Sequence, residues 1–335
     1  MPELTPETAP EWLRRNGLPE AVQFTELGGG VSNRVILAEG PKLRTVLKQS
    51  LGKLRVSEEW LSDRERIYRE AAAMRWLEDK VNGGRVPRLL AEEHADFALA
   101  MEAAPVSATM WKTKLFGGEF DPACATAAGT LLGSIVASSW NHAEARQLFA
   151  DQTVFDQLRI DPYYRYTAKR HPVAAGYIND LISRSAERRV SLVHGDWSPK
   201  NLLVGDGELW AIDWEVVHFG DPSFDAGFLL NHLFLKSFAL PQHRRKLAGL
   251  AETFLRALRT SLPPDASAWM ETAALEHLPA LLLARVDGKS PAEYLDEGMR
   301  IQAREHALRL IRLADSGKPQ DLGEVFFHGS KHHED

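Results

Sequence analysis

Only one cysteine, Cys124, occurs in the 335 residues. That excludes an intramolecular disulfide and fits a reducing compartment such as the cytoplasm. Cys124 lies in an Ala-rich stretch of helical character, where a packed thiol is expected rather than a nucleophile. No window reaches the ~18 unbroken apolar residues of a membrane span. The first residues are rich in Pro, Glu and Thr, with no basic segment followed by an apolar one, so no secretory signal is expected. Positive charge is not in excess: the formal net charge is −6, which argues against nucleic acid or an anionic membrane as the main partner. Repeats and low-complexity segments are absent. With 44% apolar and 26% charged residues, a soluble, cytoplasmic, globular protein of one large or two small domains is expected.

What is present is concentrated between Ser191 and Asp225. Ser191-Leu192-Val193 and Leu202-Leu203-Val204 read as short strands, Gly205-Asp206-Gly207 as a tight turn, and Leu209 to Ile212 as a returning strand. Asp196 and Asn201 then sit on a loop closed by one hairpin arm, and Asp213 lies just past the other. An Asp, an Asn five residues on and a later Asp suit phosphoryl transfer from ATP. The first Asp orients the acceptor hydroxyl and takes its proton; the Asn and second Asp offer hard oxygens to Mg²⁺. Any one of these residues alone would be an ordinary turn residue. The set gains its weight from the strands that precede each member.

His194-Gly195-Asp196-Trp197-Ser198-Pro199-Lys200-Asn201, Ile212-Asp213-Trp214-Glu215 and Gly220-Asp221-Pro222-Ser223-Phe224-Asp225 together resemble the aminoglycoside phosphotransferase and choline kinase family. The resemblance implies an α+β, two-lobed, protein-kinase-like fold: a five-stranded antiparallel N-terminal sheet and a mainly helical C-terminal lobe. It implies Asp196 as catalytic base and Asn201 and Asp213 as metal ligands. Gly195 stands where eukaryotic protein kinases have Arg, and Trp214-Glu215 follow Asp213 where they have Phe-Gly. Those departures favour a small-molecule acceptor.

Residues 1–101 are expected to form the nucleotide-binding lobe and 102–335 the catalytic and acceptor-binding lobe. Thr8-Ala9-Pro10-Glu11 reads as a capping box opening a short helix. Gln23–Leu27, Arg34–Ala38, Leu43–Gln49, Val86–Leu90 and Phe97–Met101 read as five strands. Between the first two lies Gly28-Gly29-Gly30. A glycine-rich hairpin of this kind brings backbone N–H groups against phosphate, or serves as a flexible turn; no Gly-Lys-Ser/Thr follows it, so it is not a Walker loop. Lys48 alternates with Val46 on one strand face, where a buried ammonium needs a partner. In the resembled fold this Lys holds phosphates and pairs with a helical Glu. A helix is expected over Glu58–Asp79, capped by Ser57, with Glu70 at the edge of its apolar face and Glu65 as the reserve. Lys53, Arg55, Arg64 and Arg66 read as surface charges. By resemblance alone, the backbone of Met101, Glu102 and Ala103 is the hinge that reads adenine.

The remainder reads as helical. Asp121–Trp140 is small-residue-rich, Phe224–Leu240 is apolar, and runs follow at about 241–262, 265–285 and 291–313, the last behind a Ser290–Glu293 capping box. Met110–Gly118 and Arg159–Arg165 combine aromatic and basic residues. They suit either a polar-ligand pocket or a solvated helix face, and the second reading is taken here. As a pocket they fit an anionic or sugar-like acceptor better than a polycationic one. His194 and Asp225 read as ordering groups behind the loop, and Glu215 and His218 as facing substrate or metal. The overall expectation is an ATP- and Mg²⁺-dependent kinase of a small-molecule hydroxyl. A methylthioribose-kinase-like or other sugar kinase is the nearest alternative, and a catalytically silent nucleotide-binding module is the alternative of another class.

Overall fold

Alternating apolar residues on three consecutive segments leave each strand with two faces to cover, and the chain covers both with helices. In the computed structural model, which describes residues 3–28, 32–53, 62–317 and 321–327, five antiparallel strands form one sheet. They are β1 (Gln23–Glu26), β2 (Asn33–Gly40), β3 (Leu43–Ser50), β4 (Leu89–Glu93) and β5 (Ala98–Glu102), in the spatial order β1-β2-β3-β5-β4. Helix α1 (Ala9–Arg15) lays Trp12 and Leu13 on the face carrying Ile36, Leu47 and Ala100. Helix α2 (Arg66–Leu77) lays Ile67, Ala71 and Met74 on the opposite face, against Leu99 and Met101. Lys48 pairs in register with Val35 on one side and Leu99 on the other, so it stands on the central strand.

Two helix starts differ from expectation, and both for local reasons. The Thr8 hydroxyl is engaged upstream, accepting from the Thr5 N–H (2.8 Å) and donating to the Glu3 carbonyl (2.7 Å), so no capping box forms. The helix expected at 291 begins instead at Glu297, where the Asp296 side chain caps the Met299 N–H at 2.8 Å. The start of α2 also lies later than expected: Ser62 and Asp63 are non-helical, and Ser57 to Trp60 fall outside the described residues.

The C-terminal part is helical around one large apolar core. Short strands β6 (Thr109–Met110), β7 (Ser191–Val193), β8 (Leu202–Gly205), β9 (Glu208–Ala211) and β10 (His218–Gly220) form two small sheets, β6-β8-β9 and β10-β7. After β6 comes α3 (Trp111–Phe116), whose Trp111 is fully buried in the core. Helix α4 (Pro122–Ser139) is long and apolar enough to cross a membrane by length and composition, yet it is mostly buried inside the fold. Asp121 caps it through the Ala123 N–H (2.9 Å). Helices α5 (Ser223–Ala239), α6 (Arg244–Ser261), α7 (Met270–Asp287) and α8 (Glu297–Asp315) complete this part. Helices α4 and α6 approach closely because Gly129 and Gly133 have no side chains. A Cβ on Gly129 would stand 2.4 Å from the Phe254 carbonyl oxygen.

A buried ion pair ties the two parts together. Arg66, expected at the surface, is fully buried; its Nε meets Glu215 Oε2 at 3.0 Å, and its Nη atoms donate to the carbonyls of Asp63 (2.7 Å) and Leu51 (2.9 Å). Glu215, expected to face substrate or metal, is also bonded to Ser32 Oγ (2.7 Å) and Asn33 Nδ2 (2.8 Å), so its carboxylate is used up structurally.

Two stability outcomes follow. Glu215→Ala leaves a buried guanidinium without its counter-ion and should cost about 3–5 kcal/mol. Gly129→Ala should lower stability by about 1–3 kcal/mol through overpacking, despite the better helix propensity of Ala. Urea unfolding checks both, and an unchanged midpoint would refute either account.

Candidate active site

Strand β3 aims Lys48 beneath the sheet at the point where α2 and the segment after β9 meet. Its Nζ donates to Glu70 Oε2 at 2.7 Å and to Asp213 Oδ1 at 2.5 Å. Glu70 is fully buried, and its other oxygen accepts the Trp214 N–H at 3.3 Å. Glu65 is exposed just before α2 and is not the partner. Burial would drive the Lys48 ammonium towards its neutral form, but Asp213 and Glu70 outweigh it and hold the group charged. Burial likewise pulls the Asp213 carboxyl up; Lys48 and Lys200 reverse this and hold it well below the usual carboxylate range. Burial dominates at Glu70 and raises its carboxyl. The result is one shared cation between two carboxylates.

The loop after β7 is held by its backbone. Asp225, near the start of α5, accepts the N–H groups of His194 (2.6 Å) and Gly195 (2.8 Å). Burial pushes its carboxyl up to about 7, against the pull of those two donors. His194 bridges the two arms: Nε2 lies 3.1 Å from the Ile212 carbonyl, and Nδ1 accepts the Asp196 N–H at 3.1 Å. That arrangement needs one neutral tautomer, and burial, only partly offset by Asp196 and Asp213, lowers the ring pKa to about 4. Gly195 has φ +79°, and a Cβ there would meet Val216 Cγ1 at 2.7 Å, so no Arg fits at this position.

Asp196 follows with a side chain 21% exposed, and Arg159 Nη2 stands 3.0 Å from its Oδ2. Asn201 Nδ2 donates to the Asp196 carbonyl (3.1 Å), and the Asn201 carbonyl accepts the Ile212 N–H (3.0 Å). Asp213 comes next at φ +71°, a conformation that costs a non-glycine residue about 1–3 kcal/mol unless its surroundings fix it. Lys48 supplies that fixation. Asp196, Asn201, Asp213, Lys48 and Glu70 are thus gathered by four segments into one region.

The other expected site residues are placed less centrally. Gly28 is exposed at the end of β1, and Gly29 and Gly30 lie outside the described residues. Met101 and Glu102 close β5. The Met101 carbonyl accepts the Thr45 hydroxyl at 2.7 Å, and the Glu102 N–H donates to the Arg88 carbonyl at 2.8 Å. Ala103 is the first residue past the strand. His218 stacks on Phe155 (4.0 Å), is bonded through Nδ1 to the Val216 carbonyl (3.1 Å) and is buried, so it faces neither substrate nor metal.

Sequence reasoning placed Arg159 on a solvated helix face. It sits in a ten-residue π-helix, Asp156–Arg165, and is buried rather than on a solvated face. Its Nε also donates to the Gly195 carbonyl at 2.6 Å. The signal was an arginine between Leu158 and Ile160 ahead of Pro162, a place where a widened helix turn accommodates the missing N–H. Lys236 was missed too, though a lysine within Phe234-Leu235-Lys236-Ser237-Phe238 interrupts an apolar helix.

A fixed ammonium between two carboxylates, a strained Asp beside it and a partly open Asp held by an arginine are thus brought into one region. The sequence model of the phosphotransferase enzyme family matches residues 23–240. Methylthioribose kinase 2 of Oryza sativa subsp. japonica is 25% identical over 258 residues, 69% of this chain; the chain spans only 60% of that relative. The ternary complex of streptomycin, ATP and APH(2'')-IIa superposes with a TM-score of 0.54 at 15% identity, covering 98% of this chain and all of that one. Amicoumacin kinase hAmiN, bound to AMP-PNP, Ca²⁺ and Ami, gives 0.55 at 16% identity, covering 90% of this chain and 92% of that one. At such identities the structural likeness speaks for the shared two-part α+β fold. The family match runs from β1 to the end of α5 and takes in every residue gathered around Lys48 and Asp196, so this protein belongs to the phosphotransferase enzyme family.

Proposed function

We propose that the chain transfers the γ-phosphate of ATP to a hydroxyl of a small molecule. The observation that carries this reading is Lys48, held charged between Glu70 and Asp213 in the region that also contains Asp196. Lys48 holds the nucleotide phosphates. The Ala103 backbone, first past β5, is the best placed of the hinge residues to read adenine, since the Glu102 N–H is already bonded. Asp196 orients the acceptor hydroxyl and takes its proton as the oxygen bonds to phosphorus and ADP departs. Residues 1–101 supply the donor half of the site and 102–335 the rest.

Asn201 and Asp213 fit Mg²⁺. Asn201 spends its Nδ2 on the Asp196 carbonyl, which leaves Oδ1 as its acceptor, and Asp213 is held ionised. Two hard oxygens suit an ion that keeps waters and takes its other ligands from phosphates, and no larger cluster of metal-binding side chains occurs among the described residues. Bound there, Mg²⁺ would neutralise the phosphate charge. Lys48 would then pass from Asp213 to the phosphates while keeping Glu70.

The methylthioribose kinase relative favours a sugar-like acceptor as the second reading. A silent nucleotide-binding module fits less well, because Lys48, Asp196, Asn201 and Asp213 are all present. Cys124, buried and unpaired, fits a reducing cytoplasm.

Asp196→Ala should retain Mg·ATP binding and lose turnover by about 10²–10⁴-fold, the usual weight of general-base assistance. ADP release alongside calorimetric ATP titration checks this, and full turnover would end the assignment. Asp213→Ala should weaken binding of Mg·AMP-PNP while leaving metal-free binding much less affected; equal titrations with and without Mg²⁺ would exclude its metal role.

A further inference from the structure

The phosphotransferase reading leaves the acceptor open, and a second cluster of buried cations lies beside Asp196. Arg159, bonded to Asp196, has its guanidinium 5.6 Å from the ring of Tyr163. The guanidinium of Arg285, from α7, lies 5.9 Å from the centre of the same ring and donates to Tyr163 Oη at 3.2 Å. Lys236, from α5, is 1% exposed, and its Nζ lies 5.3 Å from the ring of Tyr294 and 5.6 Å from that of Phe116. Lys112, at the rim, lies 5.7 Å from the Tyr294 ring and pairs with Glu293. Four cations therefore surround Tyr163 and Tyr294, and the carboxylates facing them are Asp196 and Glu293.

Arg159 and Lys112 are ion-paired, but Lys236 and Arg285 are not: among the described residues no carboxylate comes within ion-pair distance of either. Arg285 Nη1 also donates to the Ser290 carbonyl and to the Ser290 hydroxyl at 2.8 Å. Among the described residues the Lys236 ammonium, with three donors, bonds to the His232 carbonyl alone, at 3.2 Å. Arg285 Nε and Tyr294 Oη are buried and have no partner among the described residues. Burial, with repulsion from Lys112 and Arg285, pushes Lys236 down to about 7. Unpaired buried donors of this kind are costly, and a bound anion would satisfy them together.

We propose that the acceptor carries an anionic group, a carboxylate or a phosphate, bound by Lys236 and Arg285 with Tyr294, while its hydroxyl reaches Asp196. The inference rests on the phosphotransferase reading. The aromatic walls present an apolar face to the rest of the molecule. A polycationic acceptor such as an aminoglycoside is excluded by the same field, since each ammonium would enter among like charges with only Asp196 and Glu293 to oppose them.

The test uses the full chain saturated with Mg·AMP-PNP, titrated by calorimetry with inorganic phosphate, D-glycerate and ribose 5-phosphate, and with ribose and kanamycin for comparison. The anions should bind, ribose 5-phosphate more tightly than ribose, and kanamycin should not. Lys236→Met should weaken the anions by at least about tenfold, the effect of losing one hydrogen bond to a charged group, while Mg·AMP-PNP affinity is retained. Lys112→Gln, at the partly exposed rim, should give a smaller loss and remains informative if Lys236→Met does not fold. Failure of all three anions to bind, or affinities unchanged in both variants, would overturn the proposal. Failure of Mg·AMP-PNP itself to bind would instead overturn the phosphotransferase reading.

Discussion

The site depends on a single buried ammonium. Lys48 sits on the central strand of an antiparallel sheet, where a charge is tolerated only if it is paired, and it is paired twice. Glu70 reaches it from α2, and Asp213 from the segment after β9. One contact lies within the N-terminal part and the other crosses to the C-terminal part. The register of the sheet, the rotation of α2 and the arrival of Asp213 are therefore set jointly. Any of the three displaced by a few ångströms would leave a charge buried without its partner.

A second buried pair, Arg66 with Glu215, fixes the same juxtaposition from outside the site. Arg66 begins α2, four residues before Glu70, and Glu215 lies two residues after Asp213. Arg66–Glu215 joins α2 to this segment directly, and one turn along the helix Lys48 of β3 joins the same two through Glu70 and Asp213. Between them the Trp214 N–H donates to Glu70. This local stitching explains how Asp213 is held at positive φ, with its carboxylate directed to Lys48 instead of to solvent.

The acceptor side is organised by different physics. Asp196 is carried on a loop whose backbone N–H groups are taken by Asp225 and His194, so the loop has little freedom. Arg159 then holds the Asp196 side chain and shares the Tyr163 ring with Arg285. The donor side balances its cation with two carboxylates. The acceptor side carries cations in excess, with hydrogen-bonding capacity left over. That asymmetry, rather than the fold shared across the family, is what the proposed anionic acceptor rests on.

The five strands, the long helices and the trio Asp196, Asn201 and Asp213 were legible from the sequence, because strand alternation, turn residues and fixed short spacings are local. Glu70 was legible from its place on the edge of a helical stripe. Arg66, Glu215, Arg159 and Lys236 were not assigned correctly, since whether a charge is buried depends on what packs over it, and those neighbours lie far along the chain. The capping boxes at Thr8 and Ser290 failed for a local reason instead: Thr5 and Glu3 engage the Thr8 hydroxyl, and Asp296 caps the last long helix. Chain order alone thus sets which elements form and that Asp196, Asn201 and Asp213 flank one hairpin. Which charges are buried, and which of them are paired, emerges only on folding, because pairing is a property of through-space distance and desolvation that chain order does not encode.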